Sequence, residues 1–342
     1  MSTRALPRVV ACFDKFRLTA HAPELCRVVA DVAWENNWDA VVMPMADGGE
    51  GTLEALHANG GVLQTTTVTG PLGQPVDAVW LLRGRTAFIE MARASGLALV
   101  GGPEGNRALD ATTYGTGQLL NAALAAGVKR IVVALGGSAT TDGGLGALEA
   151  MAPLARFRGT ELLVACDVET MFVDAAASFG PQKGASPAQV ALLRGRLEQL
   201  ADRYLDERGV DVRLVPGGGA AGGLSGALAS LGARTTSGFR FVADEAGLAD
   251  AIAGATLVIT GEGRLDEESF NGKVVGGVCA IARSAGVPVA VIAGAVDPDV
   301  VIPADLRSTL TNIISLTEMF GPGRAWSEPL SCIRESVPSL LR

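Results

Sequence analysis

"RIVVALGGSATTDGGLGALEAM" occupies residues 130–151, and its reading decides the fold. After Arg130, residues 131–135 form an unbroken apolar run, as expected of a parallel strand buried on both faces. "LGALEAM" reads as the start of a helix. Between them lies "GGSATTDGG" (136–144), with four glycines, three hydroxyl residues and one acid, Asp142. A strand, a flexible polar loop and a helix make one step of an α/β fold. Glycine bares backbone N–H groups, and a helix N-terminus adds positive potential. The loop therefore suits an anion such as a phosphate or a carboxylate.

The same pattern recurs along the chain. "RVVACF" (8–13), "DAVVMPM" (39–45), "ELLVAC" (161–166), "TLVIT" (256–260), "VPVAVIAG" (287–294) and "TNIISL" (311–316) read as further buried strands. Helical spacing separates many of them, notably Leu25, Val28, Val29 and Val32, and the stripe from Val190 to Tyr204. The second of these helices has Ser186 as N-cap, Pro187 at N1 and Gln189 at N3, a capping box. Residues 62–91 differ. They alternate polar and apolar positions around a Gly-Pro-x-Gly turn and an Arg-Gly-Arg turn, which predicts an antiparallel meander. This stretch is taken as the start of an inserted second domain. The expected division is 1–61 with 250–342, and 62–249.

Composition narrows the function. With 48% hydrophobic and 19% charged residues over 342 positions, the chain is long and apolar enough for two packed domains. A net charge of −8 lacks the basic footprint that nucleic acid requires. The cysteines, Cys12, Cys26, Cys166, Cys279 and Cys332, are odd in number and form no C-x-x-C pair, which suits a reduced, cytoplasmic compartment. The opening "MSTRALPRVV" lacks the apolar core of a signal peptide, and no apolar run reaches membrane-span length.

The remaining glycine loops are "MADGGEGT" (45–52), "TYGTGQ" (113–118), "PGGGAAGG" (216–223) and "TGEGRLDEESFNGK" (260–273). Asp47, Glu50, Asp142, Asp167, Glu262 and Asp266 lie in or beside predicted strand ends. Carboxylates beside phosphate-binding backbone call either for a divalent cation such as Mg²⁺ or for a proton acceptor. Lys15, Arg17, Arg264 and Lys273 adjoin loops or strand ends and are the favoured cations; Arg93 and Lys183 are further basic candidates. There is no Walker A loop, no G-x-G-x-x-G after the first strand and no H-R-D loop. Two histidines, His21 and His57, leave little room for a histidine triad or a zinc site.

"PMADGGEGT" (44–52), "IEMARASGL" (89–97), "GGSATTDGGLG" (136–146), "FGPQKGAS" (179–186), "PGGGAAGGL" (216–224) and "ITGEGRLDEESFNGK" (259–273) occur in the order found in the type 1 glycerate kinases, and the chain resembles that family over most of its length. The resemblance implies a flavodoxin- or Rossmann-like parallel-sheet domain from both chain ends, an inserted mixed-sheet α/β domain, and an active site in the cleft. It implies phosphorylation of D-glycerate by ATP with Mg²⁺, at the 2-hydroxyl. Within it, Gly136, Gly137, Ser138, Asp142 and Gly143 are expected to hold phosphate, and Asp167 and Glu262 to organise Mg²⁺. Asp266 or Asp47 would accept the hydroxyl proton, with Lys15 and Arg17 on the carboxylate or the transferring group. Ser95, Gly96, Arg264 and Lys273 would contact glycerate. A kinase for another small hydroxy acid or for the 3-hydroxyl, and a non-catalytic nucleotide or sugar-acid sensor, are the alternatives. The partners expected are glycerate and ATP, with neither nucleic acid nor membrane, and a monomer or a homodimer fits equally. One departure stands out. "ACFDKFRLTA" (11–20) carries Cys12-Phe13 for the family's Ala-Pro, and Leu18 for a glycine. If that glycine serves a positive φ, Leu18 is strained.

Overall fold

A computed structural model describes residues 6–342 of the protein; residues 1–5, which begin the stretch read above for a leader, lie outside the described residues. In chain order the strands are β1 (Arg8–Phe13), β2 (Asp39–Val42), β3 (Val62–Thr69), β4 (Pro75–Arg83), β5 (Thr86–Glu90), β6 (Arg130–Ala134), β7 (Glu161–Ala165), β8 (Arg234–Thr236), β9 (Leu257–Leu265), β10 (Val289–Val296) and β11 (Leu310–Ser315). The chain divides into two compact units. One takes the described residues up to Asp47, then 54–59 and Phe239–Arg342. The other takes Gly48–Leu53 and Gly60–Gly238.

The first unit carries a five-stranded, wholly parallel sheet in the order β11-β10-β9-β1-β2. Its apolar strands are unbroken because helices cover both faces. The helix Ala22–Glu35 starts where the Glu24 carboxylate accepts the His21 N–H at 3.0 Å, and it buries Leu25, Val29 and Val32. Each such aliphatic side chain removed from water contributes about 1.5–3 kcal/mol.

The second unit has a mixed six-stranded sheet, β3-β4-β5-β6-β7-β8. β3, β4 and β5 form the antiparallel meander, and β5 to β8 run parallel. The helix Pro187–Arg208 is capped by Ser186, whose Oγ accepts the Gln189 N–H while Gln189 Oε1 accepts the Ser186 N–H at 2.8 Å. It buries Leu193, Leu197, Ala201 and Tyr204. Both units are thus α/β, one parallel and one mixed, as the sequence pattern anticipates. All five cysteines are free thiols. Among the described residues no helix is long and apolar enough to cross a membrane.

Candidate active site

In the first unit the chain runs outward from β1 in two directions. β1 leads to β2 on one side, and β9 leads through β10 to β11 on the other. The order therefore reverses between β1 and β9, the position where open parallel sheets bind ligands at their carboxyl ends. Register pairs Phe13 with Gly261, so the next residues, Asp14 and Glu262, emerge side by side at that point. Asp47 follows β2 nearby, and its charge is felt at Asp14. Burial pushes the Asp14 carboxyl up to about 6, against the pull of Lys15 and with the help of Asp47. Burial likewise raises Glu262 to about 7; the Ser269 hydroxyl and Lys273 oppose this, and Asp14 and Asp266 add to it. Glu262 Oε1 is buried and meets no protein donor. An acceptor-only oxygen in that state, within a group of mutually repelling carboxylates, fits a cation.

The other first-unit candidates have definite partners. Lys15 Nζ lies 3.7 Å from Asp14 Oδ1, and the Lys15 N–H donates to the same oxygen at 2.7 Å. Asp266 caps the short turn Glu267–Phe270, its Oδ1 accepting from the Ser269 N–H and hydroxyl. Arg264 is paired with Asp297, and Lys273 Nζ sits 2.7 Å from Glu268 Oε2. Arg17 is exposed beside Leu18. Leu18 itself takes φ +67° and is 89% exposed. The backbone there adopts the left-handed conformation that suits glycine, with the side chain turned to solvent.

In the second unit the loops after β5, β6 and β7 gather at the carboxyl ends of the parallel strands. "ADGGEGT" contributes its residues from Gly48 to Thr52 to the same unit. The Gly136 N–H donates to Gly48 O at 3.4 Å, and a Cβ on Gly136 would lie 2.4 Å from Gly49 Cα, so glycine alone permits this approach. The loop 136–144 is held from within. Leu97 N–H donates to Gly137 O and Ala139 N–H to Ser95 O, at 2.9 and 3.0 Å. Asn106 Nδ2 donates to Ala139 O at 3.0 Å, Lys183 Nζ to Thr140 O at 2.6 Å, and the Tyr204 hydroxyl to Gly143 O at 3.0 Å. These bonds fix the loop's carbonyls, while the Gly136, Ala139 and Gly143 N–H groups are spent on Gly48 O, Ser95 O and Gly222 O. The amides of Gly137, Ser138, Thr140 and Thr141 meet no backbone acceptor among the described residues, as an anion site requires.

Several expected ligand residues are spent inside this scaffold. Asp142 accepts from the Thr113 N–H and hydroxyl, both at 2.8 Å, and from the Gly144 and Gly146 N–H groups. It braces the loop, and an anionic brace is no partner for phosphate. The Gly143 N–H donates to Gly222 O at 2.9 Å. Ser95 is fully buried with its hydroxyl 2.9 Å from Thr116 Oγ1, and Gly96 pairs with Ser138 in an isolated bridge. Gly137 is exposed and Ser138 adjoins it. Asp167 is exposed after β7, with Oδ1 accepting the Gly238 N–H at 3.0 Å. It belongs to the second unit and Glu262 to the first. Among the described residues no three acidic, histidine or cysteine side chains form a metal cage.

Comparison with known proteins agrees with this architecture. The sequence profile of the glycerate kinase family matches residues 9–156 and 152–329. The chain belongs to the glycerate kinase family. A protein of Escherichia coli named glycerate 2-kinase is 40% identical over 355 residues, covering 92% of this chain and 93% of that one. A Haemophilus influenzae protein named glycerate kinase is 41% identical over 297 residues, covering 76% and 78%. The crystal structure of a Salmonella typhimurium protein provisionally named glycerate kinase 2 superimposes with a TM-score of 0.82 at 34% identity, covering 98% of each chain.

In this glycerate kinase family member three residues stand out that the sequence reading left unassigned. Asp14 directly follows β1 within the D-K-F-R motif, and that placement was the available signal. Glu90, at the end of β5, is 1% exposed; its Oε1 accepts the Leu53 N–H and its Oε2 pairs with Arg93 Nε at 2.8 Å. Lys183 is 6% exposed within "FGPQKGAS".

Proposed function

We propose that the protein transfers the γ-phosphoryl group of ATP to the 2-hydroxyl of D-glycerate, releasing ADP and 2-phosphoglycerate. The observation that carries this reading is the group of high-pKa carboxylates at the switch point between β1 and β9, in a chain whose E. coli relative is named glycerate 2-kinase. The glycerate O2 attacks phosphorus as the bond from phosphorus to the β–γ bridging oxygen breaks, and the hydroxyl proton passes to a carboxylate. Such a transfer relies on positioning and charge neutralisation.

Asp266 has Oδ1 committed to its turn, so Asp14 with Asp47 is the better proton acceptor; a carboxyl near 6 is well matched to neutral pH. Lys15 and Arg17 neutralise the glycerate carboxylate or the transferring group. The amides of the 136–144 loop that have no protein acceptor, with Gly137 and Ser138 foremost, hold ATP phosphates. Glu262 would hold Mg²⁺ together with water, and the ion would neutralise charge on the phosphates. Arg264 and Lys273, already paired with acids, contribute field more than direct contact.

The test is ADP release by purified protein with MgATP, with and without D-glycerate, and the product read by phosphorus NMR. Glycerate-dependent ADP with a 2-phosphoglycerate signal is expected. A 3-phosphoglycerate signal would move the attacking oxygen. Absence of glycerate-dependent ADP would overturn the reading.

A further inference from the structure

Lys183 is a buried cation for which the transfer reaction has no direct use. It lies in "FGPQKGAS", within the short turn Pro181–Lys183, far along the chain from the loop it touches. Its Nζ donates to Thr140 O at 2.6 Å, and the Phe179 ring centroid lies 5.8 Å from that nitrogen. Asp142 is the charged group facing it. Asn106 ties the two segments together, since its Nδ2 bonds both Ala139 O and Lys183 O.

The direction of these bonds matters. In a trans peptide the C=O and N–H point oppositely. With Ala139 O and Thr140 O drawn towards Asn106 and Lys183, the N–H groups of Thr140 and Thr141 are turned the other way. Neither meets a backbone acceptor among the described residues. Thr141 Oγ1 is also buried without a partner. Buried donors left in this state point to a ligand.

We propose that Lys183 is the positioning residue of the phosphate loop: a cation set behind the 136–144 loop that holds the Thr140 carbonyl and adds positive potential beneath the amides that lack a protein acceptor. The proposal rests on the reading that this loop binds nucleotide phosphate. Burial pulls the ammonium down to about 7, against Asp142, so its charge is variable near neutrality. An anion held in front of the loop favours the charged form. By reciprocity, protonation of Lys183 strengthens nucleotide binding by the same factor.

The chain has four lysines, so protein labelled with ε-¹³C-lysine gives a resolvable NMR spectrum. The signal removed by Lys183→Met is followed from pH 5.5 to 10 with and without saturating ADP; Lys183→Gln supplies the assignment if the methionine variant does not fold. The expected result is an upward shift of this titration by about 0.5 unit or more, a roughly threefold coupling. In steady-state assays Lys183→Met should raise the KM for ATP about tenfold and leave the KM for glycerate within about twofold. An unmoved titration in protein that demonstrably binds ADP overturns the role of Lys183. No binding of ADP by the wild-type protein overturns the phosphate-loop reading instead.

Discussion

Replacing Leu18 by glycine should stabilise the protein, and the size of the effect follows from two opposed terms. At φ +67° an L side chain sits in the left-handed region, at a cost of about 1–2 kcal/mol. Glycine relieves that cost but gives the unfolded chain extra freedom, worth about 0.4–1 kcal/mol. Leu18 is 89% exposed, so little apolar burial is lost. The net gain is about 0.5–1 kcal/mol, which corresponds to a rise in Tm of about 1–4 °C. Calorimetry, with a urea melt followed by circular dichroism, measures it. Leu18→Ala is the control, because alanine keeps the Cβ and therefore the strain. A glycine variant that melts below the wild type, or an alanine variant that gains as much as glycine, would refute the argument.

Asp14→Asn should lower kcat/KM by about 100-fold or more. In the wild type the acidic limb of the pH profile should fall through about 6 as Asp14 takes up its proton, and the residual activity of the variant should lack that limb. Glu262→Gln should melt higher than the wild type at pH 8 in metal-free buffer. With the folded-state carboxyl raised to about 7, the unfolded chain ionises first as pH rises from 4.5, so wild-type stability declines across that window while glutamine is unaffected. A wild type that gains stability between pH 4.5 and 7 relative to the variant would contradict the raised value. Tyr204→Phe leaves Gly143 O without its buried donor and should cost about 1–3 kcal/mol in a urea melt; a neutral result would mean that the loop relaxes to find another.

The parallel strands were legible because burial on both faces leaves apolar runs such as "RVVACF" unbroken. β8 was not, since Arg234–Thr236 is three residues long and carries no apolar run. β9 extends to Leu265, beyond the expected 260, because its glycine-rich second half pairs with β10 as a strand although its composition resembles a loop. In the site, loop positions were readable and bonding was not. A carboxylate in a glycine loop has one composition whether it faces a ligand, as Glu262 Oε1 is free to do, or accepts five donors from the protein around it, as Asp142 does. A single lysine resembles a solvated surface charge until its burial is known, and so Lys183 stands in the sequence only as a further basic candidate without a role. The positive φ at residue 18 was anticipated only through the family's glycine, since Leu18 carries no conformational signal of its own.

The central strand of the first unit has a consequence for how the protein is made. β1 lies between β2 and β9, and its partner Leu257 follows Val9 by 248 residues. At about 5–20 residues per second, a ribosome needs about 12–50 s to deliver that partner. The second unit lies almost wholly within one continuous stretch, 60–238, and can complete its sheet while β9 is still unmade. Over that interval "RVVACF" waits as an apolar strand with one edge unpaired, an invitation to other nascent chains. Yield in a crowded cell is then governed by the speed of translation and by whatever shields the amino-terminal strand, before the stability of the finished sheet has any influence.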